Sequence, residues 1–144
     1  MIGIASDHAG FEVKKELLEY IKELGYQVID YGPSAAASVD YPLYAFKIAE
    51  AINNKGINKG ILICKTGIGM SIACNKVAGI RCAKVDNIEE AKLTRLHNDS
   101  NVLALSSLKD IVEMKEIVKT FLETEFSNEE RHINRINMIE SYKD

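Results

Sequence analysis

The 144-residue chain has no excess of basic charge, no membrane-length apolar run, no paired-cysteine spacing and no low-complexity stretch. Each absence removes a class of function. Lys and Arg number 18 against 21 Asp and Glu, a net charge of -3. Nucleic-acid binding depends on neutralising phosphates, so neither DNA nor RNA is an expected partner. A membrane span needs about 20 consecutive apolar residues, so no membrane partner is expected either. The three cysteines, Cys64, Cys74 and Cys82, are odd in number and lack CxxC spacing. They point to reduced thiols rather than a disulfide framework or a zinc site. The start MIGIASDHAG has no basic region ahead of an apolar core, so it reads as a core strand and not as a signal peptide. A cytoplasmic protein is expected.

What is present is ordinary for a soluble globular protein: 47% apolar and 27% charged residues. This length suits one domain, residues 1–144, burying roughly two thirds of its unfolded surface. Apolar runs of strand length at 1–5, 26–31, 60–64, 79–85 and 101–105 alternate with segments of helical period. Credible helix starts follow Asp40, Asn87, Ser107 and Ser127, and Gly25 and Gly56 suit helix ends. Right-handed crossovers between five such strands predict a three-layer α/β/α sandwich. Its parallel sheet would be of Rossmann or flavodoxin type, with an extra C-terminal helix near 128–142. The only soft stretch is GPSAAAS, 32–38, a loop.

In such sheets ligands bind outside the carboxyl ends of the strands. There the segment GILICKTGIGMSIACNK, 60–76, passes from a buried strand to a helix through a cysteine, a lysine, a threonine and two glycines. Cys64 would lie near a helix N-terminus beside Lys65, a setting that favours thiolate, although a free cysteine also suits plain core packing. For Cys74 and Cys82 core packing is the expectation. Thr66, Gly67, Ile68 and Gly69 offer backbone N–H groups to an anion or a developing oxyanion. The loop fails as a dinucleotide fingerprint because Ile72 stands where a third glycine belongs, while Asp86 keeps that alternative open; a P-loop is excluded by the missing GK[ST]. Asp7-His8 follows the first strand and His97 ends the fourth helix, so both histidines could reach the functional edge and move protons there, or serve only as surface or helix-ending residues. Arg131 and Arg135, four apart, share a helical face and could clamp a phosphate or carboxylate, or form a solvated basic face.

Five segments together, SDHAGFEVK at 6–14, VDYPLYA at 39–45, the 60–81 segment, RLHNDSNVLAL at 95–105 and RHINR at 131–135, resemble the ribose-5-phosphate isomerase B family. That family includes the subunits of galactose-6-phosphate isomerase. The resemblance spans nearly the full length. It implies a metal-free aldose-ketose isomerase without cofactor, acting on a phosphorylated sugar as a homodimer, or a tetramer, with active sites shared between chains. By matched position it implies Cys64 as the base moving a proton between C2 and C1, assisted by Thr66, with the backbone of Lys65 to Gly69 stabilising the enediolate. His97 with Asp7 would open the sugar ring, Asn98 and Tyr41 would hold hydroxyls, and His8, Arg131 and Arg135 would grip phosphate. This chain departs from the family pattern in three places. Lys65 replaces the usual glycine after the cysteine, Leu108 replaces an arginine in NVLALGxR, and Glu129-Glu130 replace the glycines of GGRH. The expected reaction is interconversion of ribose 5-phosphate and ribulose 5-phosphate. The alternatives are isomerisation of galactose 6-phosphate or allose 6-phosphate, or a non-catalytic sugar-phosphate or nucleotide-binding module.

Overall fold

A computed structural model describes residues 1–142. Its elements alternate along the chain: β1 (Ile2–Ser6), α1 (Phe11–Glu23), β2 (Val28–Asp30), α2 (Tyr41–Asn53), β3 (Lys59–Cys64), α3 (Ile68–Asn75), β4 (Cys82–Lys84), α4 (Ile88–Asn98), β5 (Val102–Ser106), α5 (Ile111–Glu123) and α6 (Glu130–Ser141). All pairings are parallel, in the order β2-β1-β3-β5-β4. The first three strands follow the flavodoxin-type order, and the last two are exchanged, so that β5 sits inside the sheet and short β4 forms the edge.

Strand periodicity divides the core in two. Ile4, Ile61, Ile63, Leu103 and Leu105 face α1 and α5, whereas Ala5, Leu62, Cys64 and Val102 face α2 and α3. Both faces are covered, and the central strands are therefore nearly continuous apolar runs. Each fully buried Ile or Leu contributes roughly 1.5–3 kcal/mol relative to exposure. Helix α6 lies outside this sandwich, with His132 its single buried residue.

Helix ends follow local chemistry, with three corrections to the sequence expectations. Asn87 caps α4, its side chain accepting from Glu90 N–H at 2.8 Å. For α5 the cap is Asp110, which accepts from Glu113 N–H, and not Ser107. The N-cap of α6 is Glu129; Ser127 lies further upstream and donates its hydroxyl to the Leu96 carbonyl at 2.7 Å. After α2 the left-handed position is taken by Lys55 rather than Gly56. Among the described residues no helix is long and apolar enough to cross a membrane.

Candidate active site

Cys64 ends β3 opposite Ser106 of β5, with its thiol turned toward the α2/α3 face and 5% exposed. The chain then reverses within three residues into α3. Gly67 makes this possible: at φ +82° it occupies the left-handed region, and a Cβ there would stand 3.0 Å from the Leu105 carbonyl carbon. In this turn the Gly67 N–H donates to Cys64 Sγ at 3.1 Å, while the Ile68 N–H donates to Thr66 Oγ1 at 3.2 Å. The sulfur is thus held against the positive end of a helix. Two bonds pin the loop to β5: Ser106 Oγ donates to the Lys65 carbonyl at 2.6 Å and Ser107 N–H to the Cys64 carbonyl at 2.9 Å. The side chains of Lys65, Thr66 and Ile68 stand exposed around it.

The neighbouring strand and helix complete this edge. Asp7 N–H donates to the Ile63 carbonyl at 3.0 Å, and Asp7 Oδ1 accepts from Gly10 N–H at 2.9 Å, which leaves His8 exposed at the turn into α1. Tyr41 opens α2 and lays its ring on Gly69, where an added Cβ would come within 2.7 Å of the phenol carbon and oxygen. Only glycine at 69 admits the tyrosine so close. Asp7, His8, Tyr41 and the 64–69 loop therefore converge at the carboxyl ends of β1 and β3. The chain leaves β1 toward the α1 face and β3 toward the α3 face, so a crevice opens between them. Beside it, a groove of about 410 Å³ is lined by Thr66, Ile68, Lys84, Asp86, Ser106, Leu108 and Lys109.

His97 and Asn98 lie elsewhere in the same chain. Helix α4 runs back along the sheet, so its last turn sits where strands begin. The Asn98 carbonyl accepts from Arg81 Nε at 2.9 Å, one residue before β4, and Arg81 in turn pairs with Asn101 beside the start of β5. Four strand residues separate that edge from Cys64, about 13 Å. The expectation that His97 reaches the same edge as Asp7 is thus corrected for a single chain, and helix polarity is the reason. His97 instead stacks on His132 of α6, ring centroids 4.4 Å apart and planes 22° from parallel. Arg131 and Arg135 are exposed on α6, and Arg131 lies 3.7 Å from Glu129, one of the acids flagged beside the expected clamp.

Sequence reasoning passed over three contributors. Ser106 holds the loop, a role visible only once β5 is placed beside β3. His132 carried a faint signal as a histidine between the two arginines. Lys84 lines the groove and pairs with Asp86, whose carboxylate the dinucleotide alternative would have needed for a ribose. Cys74 and Cys82 fit the packing expectation. Cys74 is fully buried against the Ala45 carbonyl, and hydrogen bonding to Cys74 together with burial holds the Cys82 thiol well above the usual range. Among the described residues no group of three His, Cys, Asp or Glu side chains is arranged to hold a metal ion.

Comparison with known proteins agrees with this fold. A family model described as Ribose/Galactose Isomerase matches residues 2–139. Ribose-5-phosphate isomerase B of Escherichia coli is 41% identical, over 96% of this chain and 93% of that protein. The structure of Clostridium thermocellum ribose-5-phosphate isomerase B superposes with a TM-score of 0.94 at 44% identity, covering 96% of this chain and 94% of the other. That of Mycoplasma genitalium ribose-5-phosphate isomerase B with bound ribulose 5-phosphate gives 0.92 at 42% identity, over 98% and 94%. The chain belongs to the ribose/galactose isomerase family.

Proposed function

We propose that the chain interconverts ribose 5-phosphate and ribulose 5-phosphate by enediolate proton transfer, as a single-domain (residues 1–144) cytoplasmic homodimer. The observation that carries this reading is the Gly67 N–H donated to Cys64 Sγ at 3.1 Å, at a helix start in the β1/β3 crevice. In this reading the Cys64 sulfur held there acts as the base. It takes the proton from C2 of the open-chain aldose; as that C–H bond breaks, charge moves onto O1, the O2 proton passes to O1, and the Cys64 thiol returns its proton to C1. Backbone N–H groups at 65–69 stabilise the intermediate, and donors aimed at developing charge lower a barrier more than those that bind substrate alone. Thr66 and Tyr41 hold hydroxyls.

Ring opening, substrate orientation and phosphate binding fall to Asp7 and His8 on one side and to His97, Asn98, Arg131 and Arg135 on the other. The two groups lie at opposite edges of one sheet, so a complete site takes Cys64 from one subunit and His97 from its partner. That separation supports the dimer reading. In this arrangement His97 and Asp7 transfer the protons that open the furanose ring, while His8 and the two arginines bind the phosphate.

A six-carbon sugar phosphate is a second reading, favoured by the groove beside Thr66, in which Leu108 is 71% exposed and Lys84 and Lys109 line the wall. Initial rates on ribose 5-phosphate, allose 6-phosphate and galactose 6-phosphate decide between them. The highest kcat/KM is expected for ribose 5-phosphate. Thermal stabilisation by all three sugars without turnover would mean a binding module instead, since a ligand of the native state alone raises the melting temperature.

A further inference from the structure

His132 has no part in the reaction proposed above, yet among the described residues it alone has a buried side-chain polar atom without a hydrogen bond. It is the single buried residue of α6, 5% exposed. Its Nε2 is buried without a hydrogen bond; the Glu129 carboxylate lies 3.2 Å away, but out of line. An unpaired buried polar atom costs roughly 1–3 kcal/mol in general, so an apolar residue would serve better if α6 needed only an anchor. What His132 does touch is the ring of His97, face to face at 4.4 Å.

We propose that His132 is a positioning residue: its stacked ring fixes the orientation of the His97 imidazole for the proton transfer that opens the sugar ring. The inference rests on the ring-opening role given to His97. A half-buried imidazole at a helix end has several rotamers open to it, and an aromatic wall on one face leaves it only in-plane freedom, with both nitrogens directed along the rim. Such preorganisation contributes to rate because a proton must travel along a defined line.

Charge works in the same direction. Burial, the neighbouring His97, then Arg131 and Arg135 all push the His132 pKa below its ordinary value, against the opposing pull of Glu129. A His132 ring kept neutral in this way puts no like charge against the face of His97, so the stack is not strained by repulsion.

The test separates ring chemistry from enediolate chemistry. Ribulose 5-phosphate has no furanose ring to open, so exchange of its C1 hydrogen with solvent deuterium needs Cys64 but not His97, whereas net formation of the ring-closed aldose needs both. His97→Asn is expected to retain C1 exchange within about threefold while ring-closed product formation falls at least 100-fold, the usual range for losing a general acid or base. His132→Leu, which fills the space without a ring, should show the same split at about tenfold. His132→Phe, which restores an aromatic wall, should recover most of the loss and keep α6 docked. The proposal is overturned if His132→Leu matches wild type, or if exchange and product formation fall in parallel and His132→Phe is no better, because His132 is then an anchor for α6 alone. A His97→Asn variant that loses both activities equally defeats the ring-opening assignment itself, and this inference with it.

Discussion

Replacing Gly67 by alanine separates the turn's backbone demand from its chemical role, because Gly25 provides an internal control. Both glycines lie in the left-handed region, at φ +82° and +99°. An L-residue there costs roughly 1–2 kcal/mol. For a chain of this length that corresponds to a fall in melting temperature of about 3–7 °C. At Gly25 an added Cβ meets nothing within 4 Å, so Gly25→Ala should show that fall and no more, with full activity. At Gly67 the methyl would lie 3.0 Å from the Leu105 carbonyl carbon and 3.3 Å from Lys84 Cγ. Lys84 can swing aside, but the β5 backbone cannot, so the turn must shift and carry its N–H away from Cys64 Sγ. Loss of one preorganised donor commonly costs about 10²–10³ in kcat. Gly67→Ala should therefore melt lower than Gly25→Ala and lose activity on that scale. Thermal melts and initial rates with ribose 5-phosphate check both. If Gly67→Ala matches Gly25→Ala in melting and wild type in rate, the turn has not shifted and the reasoning from the Leu105 contact fails; if it melts lower but keeps the wild-type rate, the hydrogen bond to sulfur has no catalytic importance.

Other consequences are testable in the same preparations. Lys14 is wholly buried, with Nζ 2.9 Å from Asp30 Oδ1 and 2.5 Å from the Pro33 carbonyl, so Lys14→Met strips two charge-assisted bonds from the loop before α2. Because Asp30 can rehydrate, the expected loss is about 2–3 kcal/mol, read as a lower urea midpoint; an unchanged midpoint refutes it. The lowered pKa of His132 means that the unfolded chain binds its proton first, so this stability contribution is intact above the ordinary histidine value near 6.5 and is lost as pH falls through the folded value. His132→Phe should flatten the decline in melting temperature below pH 6.5, and an unchanged slope would contradict the assignment. Mixing Cys64→Ala and His97→Asn subunits after joint refolding should restore up to about a quarter of wild-type activity, since half of the dimers are mixed and each has one intact site. No recovery would place Cys64 and His97 within one chain's site.

Much of this was legible in the sequence for identifiable reasons. The apolar runs at 1–5 and 60–64 gave buried parallel strands, and a cysteine followed by KTGIG reads as a strand turning sharply into a helix. Strand order was less accessible. The runs at 79–85 and 101–105 are similarly apolar, and nothing local says that the later one lies inside. Ser107 looked like a cap because serine and aspartate three apart form a capping box, yet Asp110 closes the first turn itself and frees Ser107 to hold the Cys64 carbonyl. The position of His97 required following helix direction: a residue ending a crossover helix returns to the edge where the next strand starts. The His97–His132 stack joins segments 35 residues apart and left almost no trace in either.

The central claim is that Cys64 moves the proton, and solvent-deuterium incorporation followed by NMR tests it most directly. Wild type in deuterium oxide should place label at C2 of ribose 5-phosphate and C1 of ribulose 5-phosphate. Cys64→Ala, which removes one buried sulfur and with it the hydrogen bond accepted from the Gly67 N–H, should still fold and incorporate none. Incorporation by Cys64→Ala at the wild-type rate, or by neither protein, would contradict the assignment of this thiol as the base.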